Sequence, residues 1–433
     1  MPVTSNRRSE ADDVARDDEH SWALHLQPCG ALLIERTTMF YARLSGRGAE
    51  LALHLASTGS TARTGQILSR VYAEPDPDSP DWIASMLKAH PATQDWEQLI
   101  AGRPLPVTGS PDAYVPLQCS LQLTNACNLR CSFCYASSGR PFPSELGVDD
   151  WLRVMQRLAT AGVAAVTLTG GEPTIARGFD QILATASALF TSVDVFTNGM
   201  TWPEDRIALV RALGNVRCQV SVDGLAPRHD HLRGRRGSYA AALCTIERLA
   251  AAGVTVVVSM TVGPDNAGDV VPLARELDAA GAAYFRVGTI VSVGRGGDRD
   301  FGLSDEHLED VDCQLQRARD AATGLKVQGW DACGDPVDEL REIGPAFDFC
   351  LPGYLNWHIL ADGRVTPCQV EGESLGHILK DSVADLGAPE RLMDLRGRAK
   401  ACECLRHVEL PDDGDVPFTA RTEACAPRKP APC

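Results

Sequence analysis

From residue 117 to about 290, short apolar runs alternate with amphipathic stretches in a steady rhythm. The runs LQCSLQLT (117–124), AAVTLTG (164–170), SVDVFTN (192–198), VRCQVSVD (216–223), VTVVVSMTV (254–262) and AAYFRVGT (282–289) read as strands. Between them, VDDWLRVMQRLATAG, IALVRALG, SYAAALCTIERLAAAG and VVPLARELDAAG repeat apolar positions at helical spacing, and each ends on a glycine suited to a C-cap. Six strand–helix units in a row predict an α/β protein with a parallel sheet, either doubly wound or curled into a partial barrel. Functional groups then belong at the C-terminal ends of the strands.

The flanks read differently. ALLIER (31–36) and FYARLS (40–45) predict two strands, and GAELALHLA (48–56) an amphipathic helix. ARTGQILSRVYA (62–73), with Ser60 as N-cap, and DWIASMLKA (81–89) after a proline-rich break predict two more helices. Boundaries follow: a polar tail over 1–20, a small α+β domain over 21–100, a Gly/Pro linker over 101–113, the strand–helix core over 114–300 and a last region over 301–433. That last region opens with a helix near 304–322, loses the strand–helix rhythm and holds about half of the fifteen cysteines.

Composition narrows the function. The net charge of −16 argues against nucleic acid as a general partner. No run is long and apolar enough for a transmembrane helix or a signal peptide, so a cytoplasmic protein is expected. Fifteen cysteines without an export signal point to metal rather than disulfides. Cys29, Cys119, Cys218, Cys244, Cys313 and Cys333 have no metal spacing and read mostly as small buried side chains.

TNACNLRCSFCY (124–135) follows the first core strand and puts Cys127, Cys131 and Cys134 in the spacing C-x3-C-x2-C. A [4Fe–4S] cluster takes one thiolate per iron, so three thiolates leave one iron open. An open position distinguishes a catalytic metal from a structural one. Zinc would require a fourth Cys or His, and the loop offers none.

This triplet, with Phe133 before the third cysteine, resembles the signature of the radical S-adenosylmethionine superfamily. The resemblance spans about residues 115–290 and implies a partial (β/α)6 TIM-like barrel. It implies that the open iron chelates S-adenosylmethionine, whose reductive cleavage yields a 5′-deoxyadenosyl radical that abstracts hydrogen. TGGEPT ends the second strand, FTNGM the third and VSVDG the fourth, in the family's order. By resemblance, Gly170, Gly171, Glu172 and Pro173 meet the methionyl amino group. Asn198, Ser221 and Asp223 surround the ribose and methionine ends, and Phe133 lies against the adenine. In HDHLRGRRGSY (229–239), read as a loop, Arg233 reaches the cofactor carboxylate or a substrate, or belongs to a solvated basic loop.

Cys350 and Cys368 frame C-x12-G-x4-C, with Gly363 in a hairpin turn. This resembles the opening of the SPASM and twitch auxiliary-cluster domains. The family's later cysteine run is missing; Cys402 and Cys404 in a C-x-C, then Cys425 and Cys433, stand in its place. Cys350, Cys368, Cys402 and Cys404 complete one auxiliary [4Fe–4S] cluster in this reading; the alternative is a second cluster that includes Cys425. The N-terminal unit, winged-helix-like, is similar to the small peptide-binding chaperone of pyrroloquinoline quinone biosynthesis, which implies leader binding by strand addition.

Together the resemblances imply a maturase of a ribosomally synthesised precursor peptide, served by a reductase, flavodoxin or ferredoxin. The expected product is an oxidative carbon–carbon or thioether crosslink. Alternatives are a twitch-type dehydrogenase of a small alcohol or sugar, a peptide epimerase, and an iron–sulfur or zinc scaffold.

Overall fold

The computed structural model describes residues 22–28, 30–36, 40–44, 52–54, 56–57, 59, 104–298, 301–329, 353–370 and 373–392. Two sheets organise them. The first joins β1 (Trp22–Gln27), β2 (Gly30–Glu35), β3 (Phe40–Leu44) and β4 (Val107–Gly109) in the order β3-β2-β1-β4. β1 adds a strand to the two expected in the small domain, and β4, which falls in the expected linker, pairs parallel with β1. His25 ties this sheet to the core: its ring nitrogens meet Thr108 Oγ1 at 3.0 Å and the Val115 carbonyl at 2.8 Å.

The second sheet carries the core. β5 (Gln118–Gln122), β6 (Ala165–Thr169), β7 (Ser192–Thr197), β8 (Val216–Ser221), β9 (Val256–Val262) and β10 (Tyr284–Thr289) match the six expected strands, all parallel. Between them run α1 (Val148–Ala161), α2 (Phe179–Leu189), α3 (Glu204–Leu213), α4 (Ala226–Arg233), α5 (Ser238–Ala251) and α6 (Val270–Ala279). α2 was not anticipated. α4 falls where a basic loop was expected, started by Pro227 in its first turn and stopped at Gly234 with φ +67°.

The sheet continues past residue 300. After α7 (Asp305–Ala321), β11 (Lys326–Gln328) adds parallel to β10. At the other edge β12 (Asn356–Ile359) adds parallel to β5, followed by β13 (Arg364–Thr366) and β14 (Gly376–His377), and α8 (Val383–Leu386) closes the described chain. The expected hairpin is thus built into the core sheet, with Gly363 at φ +85° in its turn. Trp357, fully buried, anchors it through an Nε1–H donated to the Gly353 carbonyl at 2.8 Å.

Alternation along the strands sorts the two faces. Cys119, Leu121, Val166, Leu168, Val195, Val220, Val258 and Phe285 pack into one buried apolar core beneath the helices. The opposite, concave face is polar, with Ser120, Gln122, Thr167, Thr169, His358 and Gln328 all buried there. A closed barrel of this type fills its interior with branched apolar side chains; this one does not.

Burial holds His358 at about 4, and burial with the nearby Arg233 does the same for His229. Both are neutral when folded, whereas an unfolded imidazole takes a proton near pH 6.5. The unfolded chain therefore binds more protons below that value, and stability present above it is lost as pH falls toward 4. The apparent melting temperature should drop across this window, and His358→Leu should flatten the drop. Parallel pH curves for variant and wild type would contradict the assignment.

Candidate metal centre

The cysteine loop leaves the C-terminal end of β5 and is held chiefly by its backbone. The Glu145 carboxylate caps its start, accepting from the Thr124 hydroxyl at 2.8 Å, the Asn125 N–H at 2.7 Å and the Phe142 N–H at 2.9 Å. The turn after β6 packs beneath it. Gly171 N–H donates to the Thr124 carbonyl at 2.8 Å and Glu172 N–H to the Ala126 carbonyl at 2.9 Å. A Cβ on Gly170 would lie 2.6 Å from the Thr124 oxygen, and one on Gly171 2.2 Å from the Ala126 oxygen. The paired glycines therefore let the turn approach the loop itself.

Two further elements close around it. The end of α4 accepts N–H donors from Arg130, at 3.2 Å to Arg233 O, and Ser132, at 2.9 Å to Leu232 O. After β10, Arg295 donates its backbone N–H to the Cys134 carbonyl at 3.0 Å and its guanidinium to the carbonyls of Cys131 at 2.7 Å and Ser138 at 2.9 Å. Gly294, at φ +59°, passes so near that a Cβ would meet the Tyr135 carbonyl at 2.1 Å. Sequence reasoning missed Glu145 and Arg295. The GRGG run a few residues after a strand was the available signal.

Cys127 and Cys131 have different surroundings. The Leu129 N–H donates to Cys127 Sγ at 3.4 Å, and the Asn198 amide lies 3.9 Å from the same sulfur. Arg233 Nη1 donates to Cys131 Sγ at 3.6 Å. Burial pushes Cys127 up to about 11, against the Leu129 N–H, with further upward pressure from Cys131, Glu172 and Cys134. Burial also raises Cys131, partly offset by Arg233. Such thiols need a bound cation to stay ionised. Among the described residues, no three Cys, His, Asp or Glu side chains converge on a single-ion position. Three thiols on one loop suit a cluster with one thiolate per iron, whereas a lone zinc ion takes four ligands.

The other strand-end residues form a buried network beside the loop. Glu172 is fully buried. Its carboxylate accepts from Thr174 N–H at 3.2 Å, Thr174 Oγ1 at 2.6 Å, Thr197 Oγ1 at 2.7 Å and Asn198 N–H at 2.7 Å. That carboxylate therefore joins two strand ends. Pro173 opens a single helical turn over Pro173–Ile175. Asn198 bonds Asn128 Oδ1 at 2.7 Å, and Ser221 is the last residue of β8.

Arg233 is buried, not solvated: it pairs with Asp223 and lies 5.5 Å from the Phe133 ring centre. Asp223 also accepts the Thr261 N–H at 2.9 Å. Burial works against the Arg233 charge, and the fields of Asp223 and Cys131 outweigh it, raising the guanidinium above its usual range.

Of the expected auxiliary ligands, Cys368 lies among the described residues; Cys350, Cys402, Cys404 and Cys425, like Cys433, lie outside them. Cys368 Sγ accepts the Val370 N–H at 3.4 Å, repeating the arrangement at Cys127. Tyr135 connects the two regions, donating to Gln369 Oε1 at 3.3 Å, and its hydroxyl is raised by burial and by Cys134 and Cys368. Cys119 and Cys218 are buried as expected, whereas Cys244 is exposed and Cys313 is disulfide-bonded.

The pattern of the Radical SAM superfamily matches residues 121–277. The sporulation killing factor maturation protein SkfB of Bacillus subtilis is 45% identical over 414 residues, covering 95% of this chain and 98% of the relative. The antilisterial bacteriocin subtilosin biosynthesis protein AlbA of Bacillus subtilis is 26% identical over 328 residues, covering 72% and 69%. Streptococcus suis SuiB, crystallised with precursor peptide SuiA, shares the fold at TM-score 0.60 and 15% identity, over 86% of this chain and 88% of that one.

Gly171 has no left-handed φ, so Gly171→Ala tests the contact alone. Forcing a methyl against the Ala126 carbonyl should cost about 1–3 kcal/mol. It should also lower the iron bound per chain after anaerobic reconstitution. Full iron retention and an unchanged melting temperature would contradict the packing argument.

Proposed function

The chain belongs to the radical SAM superfamily, and on that premise we propose that it matures a ribosomally synthesised precursor peptide through an oxidative carbon–carbon or thioether crosslink. One finding carries the reading: the likeness to a peptide-maturation protein runs almost end to end, well past the barrel into both flanks. Cys127, Cys131 and Cys134 hold the [4Fe–4S] cluster that binds S-adenosylmethionine; the partly buried thiols and their N–H···S contacts fit that group. When bound, cluster and cofactor together supply one-electron cleavage of a carbon–sulfur bond and a carbon radical able to take hydrogen from a peptide.

The chain's own residues position that chemistry. Arg295, Glu145 and the Gly170–Gly171 turn fix the loop. Glu172 aligns the ends of β6 and β7, so that main-chain groups of Gly170, Gly171 and Pro173 with Asn198 and Ser221 receive the cofactor's polar ends. Asp223 orients Arg233 toward the cysteines and Phe133, which lies against the adenine. Cys368, with Cys350, Cys402 and Cys404, holds one auxiliary cluster able to accept the second electron of an oxidative closure. A leader strand pairs with the N-terminal sheet, where β3 is an edge strand among the described residues. A cytoplasmic reductase, flavodoxin or ferredoxin supplies electrons; no helix among the described residues is long and apolar enough to cross a membrane.

Two experiments test this. Reconstituted anaerobically with dithionite, S-adenosylmethionine and the short peptide encoded beside its gene, the enzyme should release 5′-deoxyadenosine and lower the peptide mass by a hydrogen pair. Nucleoside without any mass change would count against a crosslink. Separately, Cys368→Ala should reduce iron from about eight to about four per chain. Retention of nearly eight would contradict a single auxiliary cluster.

A further inference from the structure

The concave face of the core sheet carries a charge that its own residues leave unmatched. Phe285 and Val287 of β10 point into the apolar core, so Arg286 between them faces the concave side. Its Nε–H donates to Gln328 Oε1 at 2.9 Å. Across the same face, Arg217 takes both carboxylate oxygens of Asp194, at 2.8 and 2.9 Å. Asp194 is therefore engaged, and among the described residues no carboxylate pairs with Arg286. Burial lowers the Arg286 guanidinium from its usual range; Asp194 works against that and Arg217 with it.

Other groups on this face also lack partners. Gln122 Oε1 and His358 Nδ1 are buried without a hydrogen bond among the described residues. A buried polar atom left unpaired costs about 1–3 kcal/mol, so a face that carries such atoms on β5 and β12 suits a ligand lying across it. The register shows which end of the strands it serves. Arg286 stands opposite Ser259 on β9, which stands opposite Ser221, the last residue of β8. Arg286 thus lies on the row that leads to the strand ends beside the cysteine loop.

We propose that Arg286 docks a carboxylate of the substrate peptide, supplied by an acidic side chain or by the peptide's C-terminus. The inference rests on the maturase reading and names a chemical feature of its substrate. A guanidinium offers parallel donors that match a carboxylate, which a single amide cannot reproduce. Held there, the anion would orient the neighbouring residue toward the radical site, while Gln122 and His358 meet peptide N–H groups.

Ligand-observed NMR on the holoenzyme with S-adenosylmethionine tests this with small probes. The probes are N-acetyl-aspartate N-methylamide, N-acetyl-alanine and the neutral N-acetyl-asparagine N-methylamide. At least one carboxylate probe should bind at least about tenfold more tightly than the neutral one. Arg286→Gln should abolish that preference, and Arg286→Lys, keeping charge without the fork, should retain part of it. Preference for the aspartate probe identifies a side chain; preference for N-acetyl-alanine identifies a C-terminus. Equal binding of all three probes, or an unaltered preference in Arg286→Gln, would overturn the proposal. So would a variant that loses S-adenosylmethionine binding alone. Processing of the precursor by wild type is measured alongside. An enzyme that processes peptide but ignores both carboxylates defeats the Arg286 site alone; one that prefers them but processes no peptide upholds the site and sinks the maturase reading.

Discussion

Backbone carbonyl groups hold the cysteine loop still, and the rest of the site depends on that. The oxygens of Thr124 and Ala126 are taken by N–H groups of the turn after β6, and those of Cys131, Cys134 and Ser138 by N–H groups of Arg295. Two of these contacts exist only because Gly170 and Gly171 lack side chains. Leaving one such carbonyl buried and unpaired costs about 1–3 kcal/mol, so the contacts act as mutually dependent locks. Thiols on a loop fixed in this way keep their spacing before any iron arrives, which lowers the ordering cost of assembling a cluster.

That constraint explains which parts of the fold could be read along the chain. The six core strands were legible because each is buried on its apolar face and bounded by turn residues. α4 was not. HDHLRGRR looks like a charged loop by composition, yet its last turn is needed to meet the N–H groups of Arg130 and Ser132. β4 was hidden by the prolines and glycines around it, since a three-residue strand is stabilised by its partner β1 and not by its own pattern. β11 likewise depends on pairing with β10, about 40 residues away.

The site was legible in its residue types and less so in their roles. Cys127, Cys131 and Cys134 announce themselves by spacing. Glu172 was legible at its strand end, but not its hydrogen bonds to Thr174, Thr197 and Asn198, two of which come from the end of the next strand. Arg233 had been balanced between site and surface; its pairing with Asp223 and contact with Cys131 settle its position. Arg295 had no readable partner, because its acceptors are main-chain carbonyls more than 150 residues away. The sheet then divides the labour: an apolar face fixes the strand ends, and a polar face is left to receive a substrate.

The central claim is that these three cysteines hold a cluster whose remaining iron is reserved for the cofactor. Electron–nuclear double resonance tests it directly, using reduced enzyme and S-adenosylmethionine labelled with nitrogen-15 at the amino group. The account predicts a nitrogen coupling to the cluster that vanishes when Cys127, Cys131 and Cys134 are replaced by alanine. A reduced cluster with no such coupling, or a coupling that survives the triple replacement, would contradict it.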